Sequence, residues 1–194
     1  MTPEDFILSR LQAWRVPRTL QNLCLSDLSP TVLNVIPDQV IASSARGEFP
    51  ASFGIYGLAN GGDRAHAAIL RRTLAAKVNA HPVYLDDEDR PPSSRVLWVS
   101  WTTLFGELVL ADRFSDSFKV TVQALDRMSE VKTLILTGIG DTPEKPDGLD
   151  AALKGALTRR VAEGLKTYWE SPLSLDQLQV RYGRTGIITE ASHV

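Results

Sequence analysis

Eight residues, Gly57-Leu-Ala-Asn60-Gly61-Gly62-Asp63-Arg64, carry the clearest chemical signal in the sequence. A loop that cradles phosphates reads G-x4-G-K-S/T. Its backbone N–H groups surround the phosphate oxygens, its lysine neutralises the β and γ charges, and its hydroxyl holds Mg²⁺. Gly57 and Gly62 frame a turn at that spacing. The lysine position, however, is Asp63, a reversal of charge, and the hydroxyl position is Arg64, which ligates no metal. Two like unit charges ~4 Å apart repel by roughly 4 kcal/mol at an effective dielectric of 20, and about 1.4 kcal/mol is already tenfold in affinity. Arg64 offers a phosphate a cation from the other side, and a glycine turn between a strand and a helix needs no ligand. The motif alone therefore leaves a weakened nucleotide site and a purely structural turn both open.

Other reactive residue types are scattered. The acidic run Asp86 to Asp89 has oxygen ligands but no calcium-loop spacing, and Pro91 and Pro92 follow it; it reads as a solvated loop. His66, His81 and His193 form no pair with metal-ligand spacing and are expected in surface or packing roles. Cys24, the only cysteine, has no evident base partner and is expected to be buried in apolar surroundings. Arg10, Arg15, Arg18, Arg64, Arg71, Arg72, Arg159 and Arg160 cluster modestly and read as solvated helix surfaces, with a face for DNA or an acidic partner as the other reading. Trp98 and Trp101 belong to the expected core; Trp14 and Trp169 are the candidates for an interface.

These residues need elements to hold them. Pro3 to Trp14 has helical spacing of Phe6, Ile7, Leu11 and Trp14. Residues 16–50, broken by Pro17, Pro30, Pro37 and Pro50, predict an arm of short turns laid down by Leu20, Leu23, Leu25, Leu28 and Val32. Beyond it comes a short apolar strand over residues 51–56, then the glycine turn, then a helix from Asp63 to Val78. Strands are predicted at 95–101, 131–137 and 166–169, and an edge or final strand at 186–190. Helices are predicted at 104–111, 115–128 and 147–165, with a last one capped by Ser174 and ending at Gly183. Strands alternating with helices mean an α/β fold with a mostly parallel sheet. Ligands of such sheets bind at the carboxyl ends of the strands, so the glycine turn is the place to look for function. The chain divides into residues 1–50, a helix and arm packed on the domain, and residues 51–194, the domain itself.

Composition narrows the function classes. The 194 residues are 43% apolar and 23% charged, with 21 basic against 23 acidic side chains. A dedicated nucleic-acid binder usually carries a basic excess, because phosphate contacts supply most of its affinity; only weak DNA binding is expected here. No apolar run reaches the ~18 residues of a membrane span. Met1 to Leu8, with Glu4 and Asp5, lacks the pattern of a secretory leader. One cysteine makes no disulfide within the chain. A cytoplasmic setting is expected.

Several stretches, taken in order, resemble one family. They are Val16-Pro-Arg-Thr-Leu-Gln-Asn-Leu23, Ala51-Ser-Phe-Gly-Ile-Tyr-Gly57, Ala65-His-Ala-Ala-Ile-Leu70 and Val96-Leu-Trp-Val-Ser100. Thr133-Leu-Ile-Leu-Thr-Gly-Ile-Gly140, Leu173-Ser-Leu-Asp-Gln-Leu178 and Tyr182-Gly183 complete the set. From Val16 to Ile188 the chain is similar to the AAA+ ATPase domain of bacterial helicase loaders of the DnaC type and of IstB-type transposition ATPases. The resemblance implies a three-layer α/β sandwich, a parallel P-loop-NTPase-like sheet with helices on both faces. It also implies loss. The family follows the third strand with an aspartate for Mg²⁺ and an acidic residue for the attacking water, where this sequence has Thr137 and Gly138. The polar sensor would fall near Ser171-Pro172, and only Arg184 and Thr185 stand where the family has the segment with its arginine finger. Asp141, beyond Gly140, is the one carboxylate near enough in sequence to replace the lost metal ligand.

Phosphoryl transfer rests on positioning plus charge stabilisation by lysine, metal and arginine, and these are missing together. The expectation is a pseudo-ATPase without ATP or ADP as cofactor, and no enzyme. Its vestigial phosphate loop is Gly57, Asn60, Gly61, Gly62, Asp63 and Arg64, and its vestigial metal strand end is Thr137 and Gly138. It would bind a protein partner: a replicative helicase, an active AAA+ relative or a copy of itself. The alternative is a nucleotide- or phosphate-binding module without hydrolysis, since a glycine turn at a helix N-terminus is an anion site by geometry. A third reading, an enzyme with unrelated chemistry, would be favoured by a pocket that brings Asp63, His66 and Asp141 together.

Overall fold

The computed structural model describes residues 1–58, 61–80, 96–110, 116–142 and 149–182. The first helix, α1 (Pro3–Ala13), begins where local chemistry favours it: Asp5 N–H donates to Thr2 Oγ1 at 3.1 Å, Thr2 N–H donates to Asp5 Oδ2 at 3.2 Å, and Pro3 occupies the first turn. The proline-broken arm follows as two 3-10 turns, Arg18–Leu20 and Leu25–Asp27, then α2 (Pro30–Leu33) and α3 (Asp38–Ala45). Leu20, Leu28 and Val32 are buried, and Leu23 and Leu25 pack against the same cluster.

The remaining elements alternate. They are β1 (Phe53–Tyr56), α4 (Gly62–Ala80), β2 (Val96–Ser100), α5 (Trp101–Leu110), α6 (Asp116–Glu130), β3 (Thr133–Thr137), α7 (Leu149–Ala162), β4 (Lys166–Ser171) and α8 (Leu175–Tyr182). The strands form one parallel sheet in the order β1-β4-β3-β2. Parallel strands need helical crossovers, which the sequence supplies, and both faces are covered. Phe53, Ile55, Val96, Trp98, Ile135 and Tyr168 face α1, the arm and α4. Leu97, Val99, Leu134, Leu136 and Trp169 face α5, α6, α7 and α8. Period-2 alternation thus sends neighbouring apolar residues into two cores, which is why these strands read as unbroken apolar runs. The end of α1 also meets the outer side of β2: Trp98 N–H donates to the Trp14 carbonyl at 2.9 Å.

Several expectations are corrected. Trp14 and Trp169, expected at an interface, are buried, at 6% and 1% exposure. The indole of Trp169 crosses β1 because Gly54 has no side chain; a Cβ there would lie 2.1 Å from the ring. Arg160, expected on a solvated face, is wholly buried. Its guanidinium donates to the carbonyls of Met128, Val131 and Lys166 and to Thr167 Oγ1, at 2.6–2.9 Å. It ties the end of α6 to the start of β4, a role that α7's spacing does not reveal. Of the other clustered arginines, Arg71 pairs with Glu4 at 2.7 Å and Arg159 with Glu163 at 2.8 Å. Cys24, expected to be buried, is exposed. It precedes the second 3-10 turn, and its N–H donates to Asp27 Oδ2, which turns the residue outward. Strand β4 runs two residues past its expected end at Trp169. The expected strand at 186–190, the acidic run 86–89, His81, His193, Gly183, Arg184 and Thr185 lie outside the described residues. Among the described residues no helix is long and apolar enough to cross a membrane.

Candidate functional site

The carboxyl ends of three strands and the N-terminus of α4 meet around a cavity of about 220 Å³. Gly61, just before α4, and Asp63, in its first turn, line it, with Ser100 from the end of β2, and Thr137, Gly138 and Asp141 from β3 and its loop. Glu170 of β4 and Pro172, just beyond that strand, close it. This is where a parallel sheet places its ligand site, and Gly61, at the end of the glycine turn, lines it. None of the lining residues named is a lysine or arginine; three are carboxylates.

The loops around the cavity are tied to one another. Gly57 N–H donates to the carbonyls of Ser171 and Leu173, and Ile139 N–H donates to the Glu170 carbonyl at 3.1 Å. The Ser171 hydroxyl, at the expected sensor position, donates to the Ile139 carbonyl at 2.5 Å and accepts Leu173 N–H. It is committed to the protein's own backbone. Arg181 of α8 binds the Asp150 carboxylate and donates to the Thr142 carbonyl at 2.7 Å, which fixes the far end of the loop after β3.

Each expected site residue has a place. Gly57 begins the turn after β1, Gly61 precedes α4 and Gly62 is its first residue, and Asn60 lies outside the described residues. Asp63 is in the first turn of α4, and its Oδ1 accepts the N–H of Arg64 at 2.7 Å. Arg64 is exposed and is not among the lining residues. Thr137 is the last residue of β3, and Gly138 begins the loop that follows. Asp141 does reach the cavity, yet among the described residues no group of three His, Cys, Asp or Glu side chains is placed to hold a metal ion. His66 does not join Asp63 and Asp141. It is buried between Phe53 and Tyr168, with ring centroids 5.0 and 6.3 Å away, and its Nε2 lies 3.0 Å from the Trp169 carbonyl.

Sequence reasoning missed Glu170. It is 8% exposed, and its Oε2 accepts Gly138 N–H at 2.8 Å. Burial pushes its carboxyl above the usual carboxylate range. Asp63 and Asp141 add to that rise by like-charge repulsion, while the Gly138 N–H works against it. The signal was available: in a strand that continues past Trp169, period 2 puts Glu170 on the same face as Tyr168, towards α4.

The sequence matches no protein-family model and no curated protein. Among solved structures it is similar to the crystal structure of DnaI, at 19% identity and a TM-score of 0.55, over 91% of this chain and 86% of that one. It is also similar to a proposed primosome component from Streptococcus pyogenes serotype M3, at 14% identity and a TM-score of 0.59, over 96% of this chain and 90% of that one. At such identities the likeness speaks for the fold. The chain has a parallel, P-loop-NTPase-like α/β fold, which the DnaI structure shares.

Proposed function

We propose that this chain is a catalytically inactive counterpart of helicase-loader ATPases and acts as a protein-interaction adaptor or regulator in DNA replication or mobile-element biology. One observation carries the reading. The cavity that should receive phosphates is lined by Asp63, Asp141 and Glu170, with no cation among its described lining residues. Mg²⁺-bound nucleotide brings net negative charge, and a site that stabilises it uses lysine, arginine and metal. Here Asp63 and Asp141 repel it, and Glu170, whose carboxyl burial pushes towards the neutral form, adds no cation to hold it. Thr137 and Gly138 supply no carboxylate for metal or water. What remains is the shape of a loader domain, and its use is the binding of proteins: a replicative helicase, an active relative or another copy. The likeness to DnaI and to a proposed primosome component supports a partner in replication.

The test is to mix the protein with the replicative helicase of its own host and follow co-elution by size exclusion, with Mg·ATP and with EDTA. The reading expects the same complex in both, and no phosphate release from ATP by the protein alone. A complex that forms only with Mg·ATP, or turnover that vanishes on Asp63 or Asp141 substitution, would overturn it.

A further inference from the structure

Glu170 occupies the space directly in front of α4. A Cβ added at Gly62 would lie 2.1 Å from Glu170 Cγ and 3.1 Å from its Cβ. Its Oε2 takes Gly138 N–H at 2.8 Å. One buried side chain from the end of β4 thus touches the first turn of α4 and the loop after β3 at once. In a phosphate-cradling loop, the groups that gather at a helix N-terminus are organised around a bound anion. Here the anions belong to the chain. Asp63 turns its carboxylate back onto Arg64 N–H, and Glu170 spans the gap.

We propose that Glu170 is a built-in substitute for a phosphate ligand: it fills the space over Gly62 and ties the loop after β3 to α4, so the site keeps one arrangement with no nucleotide. This rests on the adaptor reading for its meaning, because a site held by its own residue presents a partner-binding surface constitutively. Asp63 and Asp141 face Glu170 and oppose it. Packing on Gly62 and the Gly138 N–H hold it in place.

Hydrogen exchange of the full chain tests this in Glu170→Ala and Glu170→Gln. Glu170→Ala should raise exchange at least tenfold at Gly61–Arg64 and Gly138–Asp141, while amides of β3 and β4 stay protected. Glu170→Gln should exchange like the wild type, since its amide oxygen still accepts Gly138 N–H. Gly62→Ala provides a second route. It should lower the melting temperature by several degrees in the wild type, where the new methyl meets Glu170, and by little in Glu170→Ala. Unchanged exchange in Glu170→Ala would overturn the proposal. So would a Gly62→Ala variant that melts like the wild type, even if Glu170→Ala fails to fold. Mg·ATP binding by the wild type would instead overturn the adaptor reading, so the two failures are separable.

Discussion

Acid titration of His66 gives a sharp test of how the domain is built. The ring is fully buried; Nε2 meets the Trp169 carbonyl at 3.0 Å, which makes Nε2 the donor, and Nδ1 has no partner. A second proton would sit on Nδ1 with nothing to accept it. Burial therefore pulls the pKa from 6.5 down to about 4, although the Trp169 carbonyl acts in the opposite direction. Between those values the unfolded chain binds the proton and the folded chain does not. The stability this group confers is present above pH 6.5 and is lost as pH falls towards 4. A displacement of that size corresponds to about 3 kcal/mol, or ~6–12 °C in melting temperature for a chain of this length. The assay is thermal unfolding from pH 7.5 to 4 in the wild type and in His66→Phe, which packs between Phe53 and Tyr168 without titrating. Carboxylate effects are common to both proteins, so the difference between them isolates His66. Equal pH slopes would refute the reasoning and mean that His66 takes up a proton from water in the native state.

Other perturbations follow from the same contacts. Arg160→Leu leaves three backbone carbonyls and the Thr167 hydroxyl without their buried donor and should cost roughly 3–5 kcal/mol by urea unfolding; a cost below about 1 kcal/mol would contradict that network. Glu170 has a raised pKa in the folded state, so its contribution is greatest below pH 4.5 and declines as pH rises through the folded value. Glu170→Gln should therefore raise the melting temperature at pH 7 and steepen the fall in stability towards acid, because the gain from protonating the carboxyl is removed; an unchanged profile would show that the carboxyl is not desolvated. Cys24 should react with a thiol reagent in the folded protein as fast as in urea, since it is exposed; protection in the native state would restore the buried role.

The fold was legible because its signals are local and redundant. The apolar runs at 95–101 and 131–137 are too short for helices and alternate with helical stretches, and buried parallel strands follow from that pattern. Side chains whose roles depend on distant partners were not legible. Arg160 sits on a charged-looking stretch of α7, and only the junction of α6 with β4 shows why it turns inward. Trp169 is buried because Gly54, more than a hundred residues earlier, leaves room for it. At the site, the place of Asp63 at the start of α4 could be read from spacing alone. The face of Glu170 followed from period 2 once β4 is carried past Trp169, but its place beside the glycine turn comes from the register of β4 against β1, in which it pairs with Ile55. Cys24 misled because its residue type favours burial, whereas the turn it caps decides its direction.

The most direct measurement of the central claim is a calorimetric and thermal-shift titration of the wild-type protein with ATP and ADP in the presence of Mg²⁺. A cavity lined by Asp63, Asp141 and Glu170 predicts no binding heat and no change in melting temperature up to millimolar nucleotide. A ligand at 100 times its dissociation constant would add ~2.7 kcal/mol, a rise of several degrees for a chain of this size. Such a rise would contradict the account and make the cavity a working nucleotide site.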